Sequence, residues 1–187
     1  MTGIDTLILP LFLSSVLVFF ASFILHMVLP WHKSDYPQVP DEDRVMDALR
    51  QFNLAPGDYF MPRPANQADM KSPGFLEKMK KGPVAVMTIR PSGPPSMGKP
   101  LAWWFIYCVI VGFFAAYIAG RALPPGAPYL QVFRFVGASA FLGYTLALWQ
   151  TVIWYGRSSM TTTKSTIDGL IYALLTAGTF GWLWPHS

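Results

Sequence analysis

Four long runs of apolar residues stand out along the chain: Leu7–Leu29, Leu101–Leu123, Leu130–Tyr155 and Thr166–Trp184. Each approaches or exceeds the ~20 residues that a helix needs to cross a hydrocarbon layer of roughly 30 Å. A helix satisfies its own backbone polar groups in lipid, so the pattern predicts transmembrane helices. The alternating segments of about ten residues that build a membrane β-barrel are absent. The predicted fold class is an all-α membrane protein: four transmembrane helices in a bundle, with a small α+β insert between the first and second. The predicted boundaries are 1–30 for the first helix, 31–100 for the insert and linker, and 101–187 for helices two to four.

Between the first two runs the pattern changes abruptly. In "HMVLPWHKSDYPQVPDED" (His26–Asp43) an apolar stretch becomes dense in charge and proline. Pro30 stops the first helix, and Trp31, His32 and Lys33 form its interfacial collar. Further on, "PDEDRVMDALRQFNLAPG" reads as a short amphipathic helix with Asp41 as cap. "SPGFLEKMKKG" reads as a second helix, with Ser72 as cap, Pro73 first and Gly82 as terminator. "DYFMP" and "PVAVMTIRP" read as short strands. Partial disorder of this proline- and glycine-rich insert is the alternative reading.

Composition agrees with this division. Of 187 residues, 52% are hydrophobic and only 13% charged, about half the charge of an ordinary soluble domain. Ten of the 14 Lys and Arg lie in 31–100, and Arg157 and Lys164 lie between the third and fourth runs. Only Arg121 and Arg134 mark the other side. The bias puts 31–100 in the cytoplasm and both termini on the periplasmic side of a bacterial inner membrane. Six of the seven tryptophans fall at or near run ends, as an interfacial belt requires. The net charge of +4 brings no Arg/Lys stripe with interleaved aromatics, so nucleic acid is not an expected partner. The single cysteine, Cys108, excludes an intrachain disulfide.

Small residues recur every four positions on three helices: Gly112, Ala116 and Gly120; Ser139, Gly143 and Ala147; Gly169, Ala173, Ala177 and Gly181. Such rows let helix backbones approach closely in lipid, either within the chain or in an oligomer.

Few residues offer chemistry. His26, Gln150, Asp168 and Tyr172 are threaded to the inner half of the bilayer, where ionisable groups are functional candidates. A His26–Asp168 pair across helices one and four could relay protons or bind a cation. The competing reading makes Asp168 a capping-box residue with Ser165, and His26 an interfacial residue bonded to backbone. His32 is placed in the aqueous collar and is expected to tolerate alanine. No metal or cofactor is expected, because His26 and His32 are six apart across Pro30 and His186 lies at the opposite face. No zinc-protease, phosphate-loop or nucleophile-elbow motif occurs.

The layout of "HMVLPWHKSDYPQVPDEDRVMDALR", "KMKKGPVAVMTIRPSG" and "DGLIYALLTAGTFGWLWP" resembles that of small uncharacterised bacterial multi-pass inner-membrane proteins. The resemblance implies no activity and no catalytic residues. The expected function is therefore a non-enzymatic accessory or scaffold subunit, with other membrane subunits or further copies of the chain as partners besides lipid. The alternative is a small oligomeric transporter or proton-coupled protein using the His/Asp pair.

Overall fold

A computed structural model describes residues 1–186. In chain order its helices and strands are α1 (Ile8–Phe23), α2 (Glu42–Arg50), β1 (Gly57–Met61), α3 (Pro73–Lys81), β2 (Ala85–Ile89), α4 (Gly98–Ala122), α5 (Tyr129–Thr145), α6 (Trp149–Tyr155) and α7 (Ser159–Trp182). The chain divides into two compact units. One comprises Met1–Pro37 and the chain from Ser96 onward, the other Gln38–Pro95.

The protein is mostly helical, and three of its helical stretches are long and apolar enough to cross a membrane: Asp5–Val28, Gly98–Ala122 and Tyr129–Tyr155. The first continues α1 in a 3₁₀ turn at its start and a π turn at its end, and the third includes a 3₁₀ break at Leu146–Leu148. The fourth expected span, Thr166–Trp184, does not meet the same standard. Its helix, α7, begins at Ser159 and carries a run of hydroxyl residues, Lys164 and Asp168 in its first half. That start corrects a second expectation. Ser158 caps α7 by accepting from the Thr161 amide at 3.3 Å, so Asp168 sits more than two turns inside the helix and is no capping residue. Ser165 instead donates to the Thr161 carbonyl at 3.1 Å.

Polar α7 is nonetheless well buried, including at Thr162, Asp168, Tyr172, Thr176 and Thr179. Its threonine hydroxyls donate one turn back, as Thr166 does to Thr162 and Thr176 to Tyr172, both at 2.8 Å. These bonds remove the desolvation penalty of burying a hydroxyl. α7 packs against α1 and α5, and α4 packs against the same two helices. Between them lie Val18, Val111, Ala115, Val132, Val136, Ala140, Ala173 and Phe180. Large apolar side chains such as Phe12, Phe20, Phe114 and Leu142 face outward, as they do when the surrounding solvent is lipid.

Small residues sit where backbones approach. Gly112 lies against Leu11 and Ser15 of α1, and Ala116 is fully buried. A Cβ on Gly120 would stand 2.7 Å from the Thr2 carbonyl, one on Gly143 would stand 3.1 Å from Val111, and one on Gly181 would enter the Tyr129 ring. A Cβ on Gly169 would collide with the Thr145 side chain. Ala173 and Ala177 are buried, Ser139 is half-buried, and Ala147 is exposed within the 3₁₀ break. Both chain ends meet the α4–α5 turn: the Thr2 amide donates to the Gly120 carbonyl at 2.8 Å, and the Trp184 indole to the Pro124 carbonyl at 2.9 Å.

In the second unit, β1 and β2 pair antiparallel, with Tyr59 opposite Met87. Ser72 caps α3 by accepting from the Phe75 amide at 3.1 Å, and Gly82 ends it at φ 62°. Asp41 differs from expectation. It adopts a left-handed conformation, makes no cap bond, and pairs with Arg44 at 3.2 Å. No residue of Gln38–Pro95 is buried.

Candidate functional site

The site is built at the end of α1. Over Ile24–Val28 the helix widens to a π turn, closed by a bond of 3.0 Å from the Leu29 amide to the Ile24 carbonyl five residues back. Such turns are rare and frequent at functional positions. Leu29 then becomes extended (φ −81°, ψ 145°), as the residue before a proline prefers. A 3₁₀ turn over Pro30–His32 follows and reverses the chain. His32 is thereby folded back onto His26. The two imidazoles stack with centroids 4.2 Å apart and planes 8° from parallel.

Each ring has a defined partner. His26 Nδ1 lies 3.0 Å from the Ser22 carbonyl, which places the proton on that nitrogen. The Ser22 hydroxyl accepts from the Trp104 indole at 2.7 Å, so α4 steadies this turn. His32 lies between two carboxylates: Nδ1 is 2.6 Å from Asp35 Oδ2, and Nε2 is 2.8 Å from Asp168 Oδ2. The side chains of His32, Asp35 and Asp168 are 14%, 7% and 3% exposed. Lys164 stands one turn before Asp168 on the same face of α7 and completes the group. Its ammonium donates to Asp35 Oδ1 at 2.8 Å, to the Trp31 carbonyl at 2.8 Å and to Ser34 Oγ at 2.9 Å.

The electrostatics follow from these contacts. Burial pushes the Asp35 carboxyl up, but the hydrogen bonds and positive charges of Lys164 and His32 outweigh it and hold Asp35 below the ordinary carboxylate range. Each nitrogen of the His32 imidazole faces a carboxylate oxygen, so Asp35 and Asp168 fix the plane and position of the ring from both edges. Lys164, Asp35, His32 and Asp168 thus form a continuous chain of ionisable side chains from the α1 turn into α7. At its inner end Asp168 Oδ1 is buried without a partner, as is the Tyr172 hydroxyl one turn further along. The Tyr172 ring packs edge-on against Trp104 and Tyr144, at 5.8 and 5.5 Å. Beside the histidines a cleft of about 410 Å³ is lined by His26, His32, Asp35, Tyr36, Thr151 and Arg157, among others. Arg157 donates to the Tyr36 hydroxyl at 2.6 Å.

Of the residues singled out in the sequence, His26, Asp168 and Tyr172 gather here, while Gln150 is exposed on α6 and makes no bond to the group among the described residues. The direct partner of Asp168 is His32, and His26 is its stacked neighbour. His32 is therefore no residue of an aqueous collar. Sequence reasoning missed it and Asp35 because straight extension past Pro30 carries these groups into water, and missed Lys164 because it reads as a charge flanking the fourth run. The spacings His32–Asp35 and Lys164–Asp168, three and four residues, were the available signals. Comparison with protein families, with characterised proteins and with solved structures finds no match to this chain.

Proposed function

We propose that this chain is a four-span inner-membrane protein that acts as a non-enzymatic accessory or scaffold subunit, its insert docking on another membrane subunit. The observation that carries this reading is the complete lack of buried residues in Gln38–Pro95. Val45, Met46, Phe52, Phe60 and Val86 are all exposed there. A segment this small that leaves its apolar side chains exposed or at most half-buried gains stability by covering them on a partner. Counting α7 as the fourth span rests on length and orientation. Its 24 residues reach about 36 Å, and its buried polar groups include Asp168, Thr176 and Thr179. Lys33, Lys99, Arg157 and Lys164, against Arg121 and Arg134, support a cytoplasmic insert and outward termini.

The test is mild detergent extraction of the tagged full chain from its own membrane. A stoichiometric second protein that is lost on Phe52→Asp is the expected result. A chain that emerges alone, or only with copies of itself, overturns the reading.

Proton-coupled transport is the second reading, favoured by the chain of ionisable groups from Lys164 to Asp168. Against it, the interior beyond Tyr172 is filled by Val132, Val136 and Phe180, each fully buried, with no ionisable side chain among the buried residues there. Proton uptake into proteoliposomes that disappears with Asp168→Asn would establish it over the accessory role.

A further inference from the structure

We propose that His26, His32 and Asp168 form a binding site for one divalent transition-metal ion of the zinc class. Each residue offers one ligand atom, and the three atoms lie within 4.8 Å of one another. This inference is independent of the accessory role.

Four features carry it. The first is the orientation of the histidines. Nδ1 of His26 is held by the Ser22 carbonyl and Nδ1 of His32 by the Asp35 carboxylate. Metal-binding histidines are typically held by such outer partners, which leave Nε2 for the ion. Lys164 anchors the outer carboxylate in turn. The second is Asp168. Its residue is 2% exposed and its Oδ1 has no partner, an expensive arrangement for a carboxylate that an ion relieves. The third is distance. Ligand atoms about 2.0–2.2 Å from a tetrahedral ion stand roughly 3.4 Å apart. The His32 Nε2 to Asp168 Oδ2 separation of 2.8 Å needs to widen by about half an ångström, and the ion then takes the place of the shared proton. His26 turns its ring out of the 8° stack to aim at the same point. The fourth is access: both histidines line the cleft beside Arg157. Three protein ligands leave a fourth tetrahedral position for an exchangeable molecule. Two imidazoles and a carboxylate select zinc-class ions over magnesium or calcium, which prefer all-oxygen shells.

The test uses the full chain in detergent, its affinity tag removed and its metals stripped by chelator, titrated with Zn²⁺ and with Mg²⁺ by calorimetry. One saturable Zn²⁺ site per chain is expected, with no Mg²⁺ uptake at the same concentrations. His26→Ala leaves the His32 bonds to both carboxylates in place, so it should fold, and it should weaken Zn²⁺ binding at least tenfold. Asp168→Asn should do the same. His186→Ala, beyond the far end of α7, should bind as the parent does. Absence of a saturable site overturns the proposal. So does binding that survives both His26→Ala and Asp168→Asn, or that is lost with His186→Ala.

Discussion

His32 is the residue on which most contacts at the α1 turn converge. Its ring bridges Asp35 and Asp168 and stacks on His26. Removing the hydrogen-bond partner of a buried carboxyl group leaves it unsatisfied and typically costs about 1–3 kcal/mol, more when the group is charged. His32→Ala strands Asp168 in this way, so denaturant unfolding in detergent should show a loss of that order. His26→Ala removes a stack and one hydrogen bond to a backbone carbonyl, a change of roughly 1 kcal/mol. Equal losses from the two substitutions would contradict the assignment of His32 as the central residue. A double-mutant cycle of His32→Ala with Asp168→Asn should give a coupling of about 0.5–3 kcal/mol. The pairing was half legible in the sequence. His26 and Asp168 mark the depth, but the partner is chosen by a π turn and a 3₁₀ turn that no hydropathy pattern records.

At the scale of elements, the contact between α7 and α5 is close enough to be tested by single methyl groups. A Cβ on Gly169 meets Thr145 and comes within 3.2 Å of Tyr144 Cβ, both on α5. Gly169→Ala should therefore destabilise through overpacking, by about 1–3 kcal/mol, even though alanine favours helices. Leu174, 46% exposed on the same helix, should accept isoleucine almost silently. If Leu174→Ile costs as much as Gly169→Ala, the glycine face is not a packing face. The insert offers an electrostatic test. Asp69 accepts from the Ala65 amide and the Ser72 hydroxyl, both at 2.9 Å, and these bonds hold its carboxyl below the ordinary range. A lowered folded pKa means that the contribution is full above the unfolded value of about 3.9 and is lost as pH falls through the folded value. The Ala65 amide resonance should thus shift only in acid below about pH 4, and Asp69→Asn should abolish that titration. The α3 boundaries were readable because Ser72, Pro73 and Gly82 each act through local backbone chemistry. Asp41 misled, since its carboxylate pairs with Arg44 rather than with the helix amides.

For the whole molecule, the threading proposed from the basic residues is testable without knowledge of activity. A reporter inserted near Asn66 should be active in the cytoplasm, and one fused to the C-terminus should be active outside. A C-terminal reporter that works in the cytoplasm together with the one near Asn66 is incompatible with four spans. Three helices are long and apolar enough to cross a membrane. α7 is different, because it is buried against α1 and α5 and turns hydroxyls and a carboxylate inward.

Sequence by itself determined the mostly helical character with apolar helices long enough for a membrane, the two-stranded insert and the boundaries of α3. Each is a consequence of local periodicity or of groups a few residues apart, so the chain carries it in one dimension. Only the tertiary structure decided that Lys164, Asp35, His32 and Asp168 form one chain, and that His26 stacks on it. The decision depends on how Leu29 and Pro30 reverse the backbone and on which face α7 turns toward α1. Those are long-range outcomes of packing, where shape and hydrogen-bond satisfaction select among conformations that the local sequence leaves equally open.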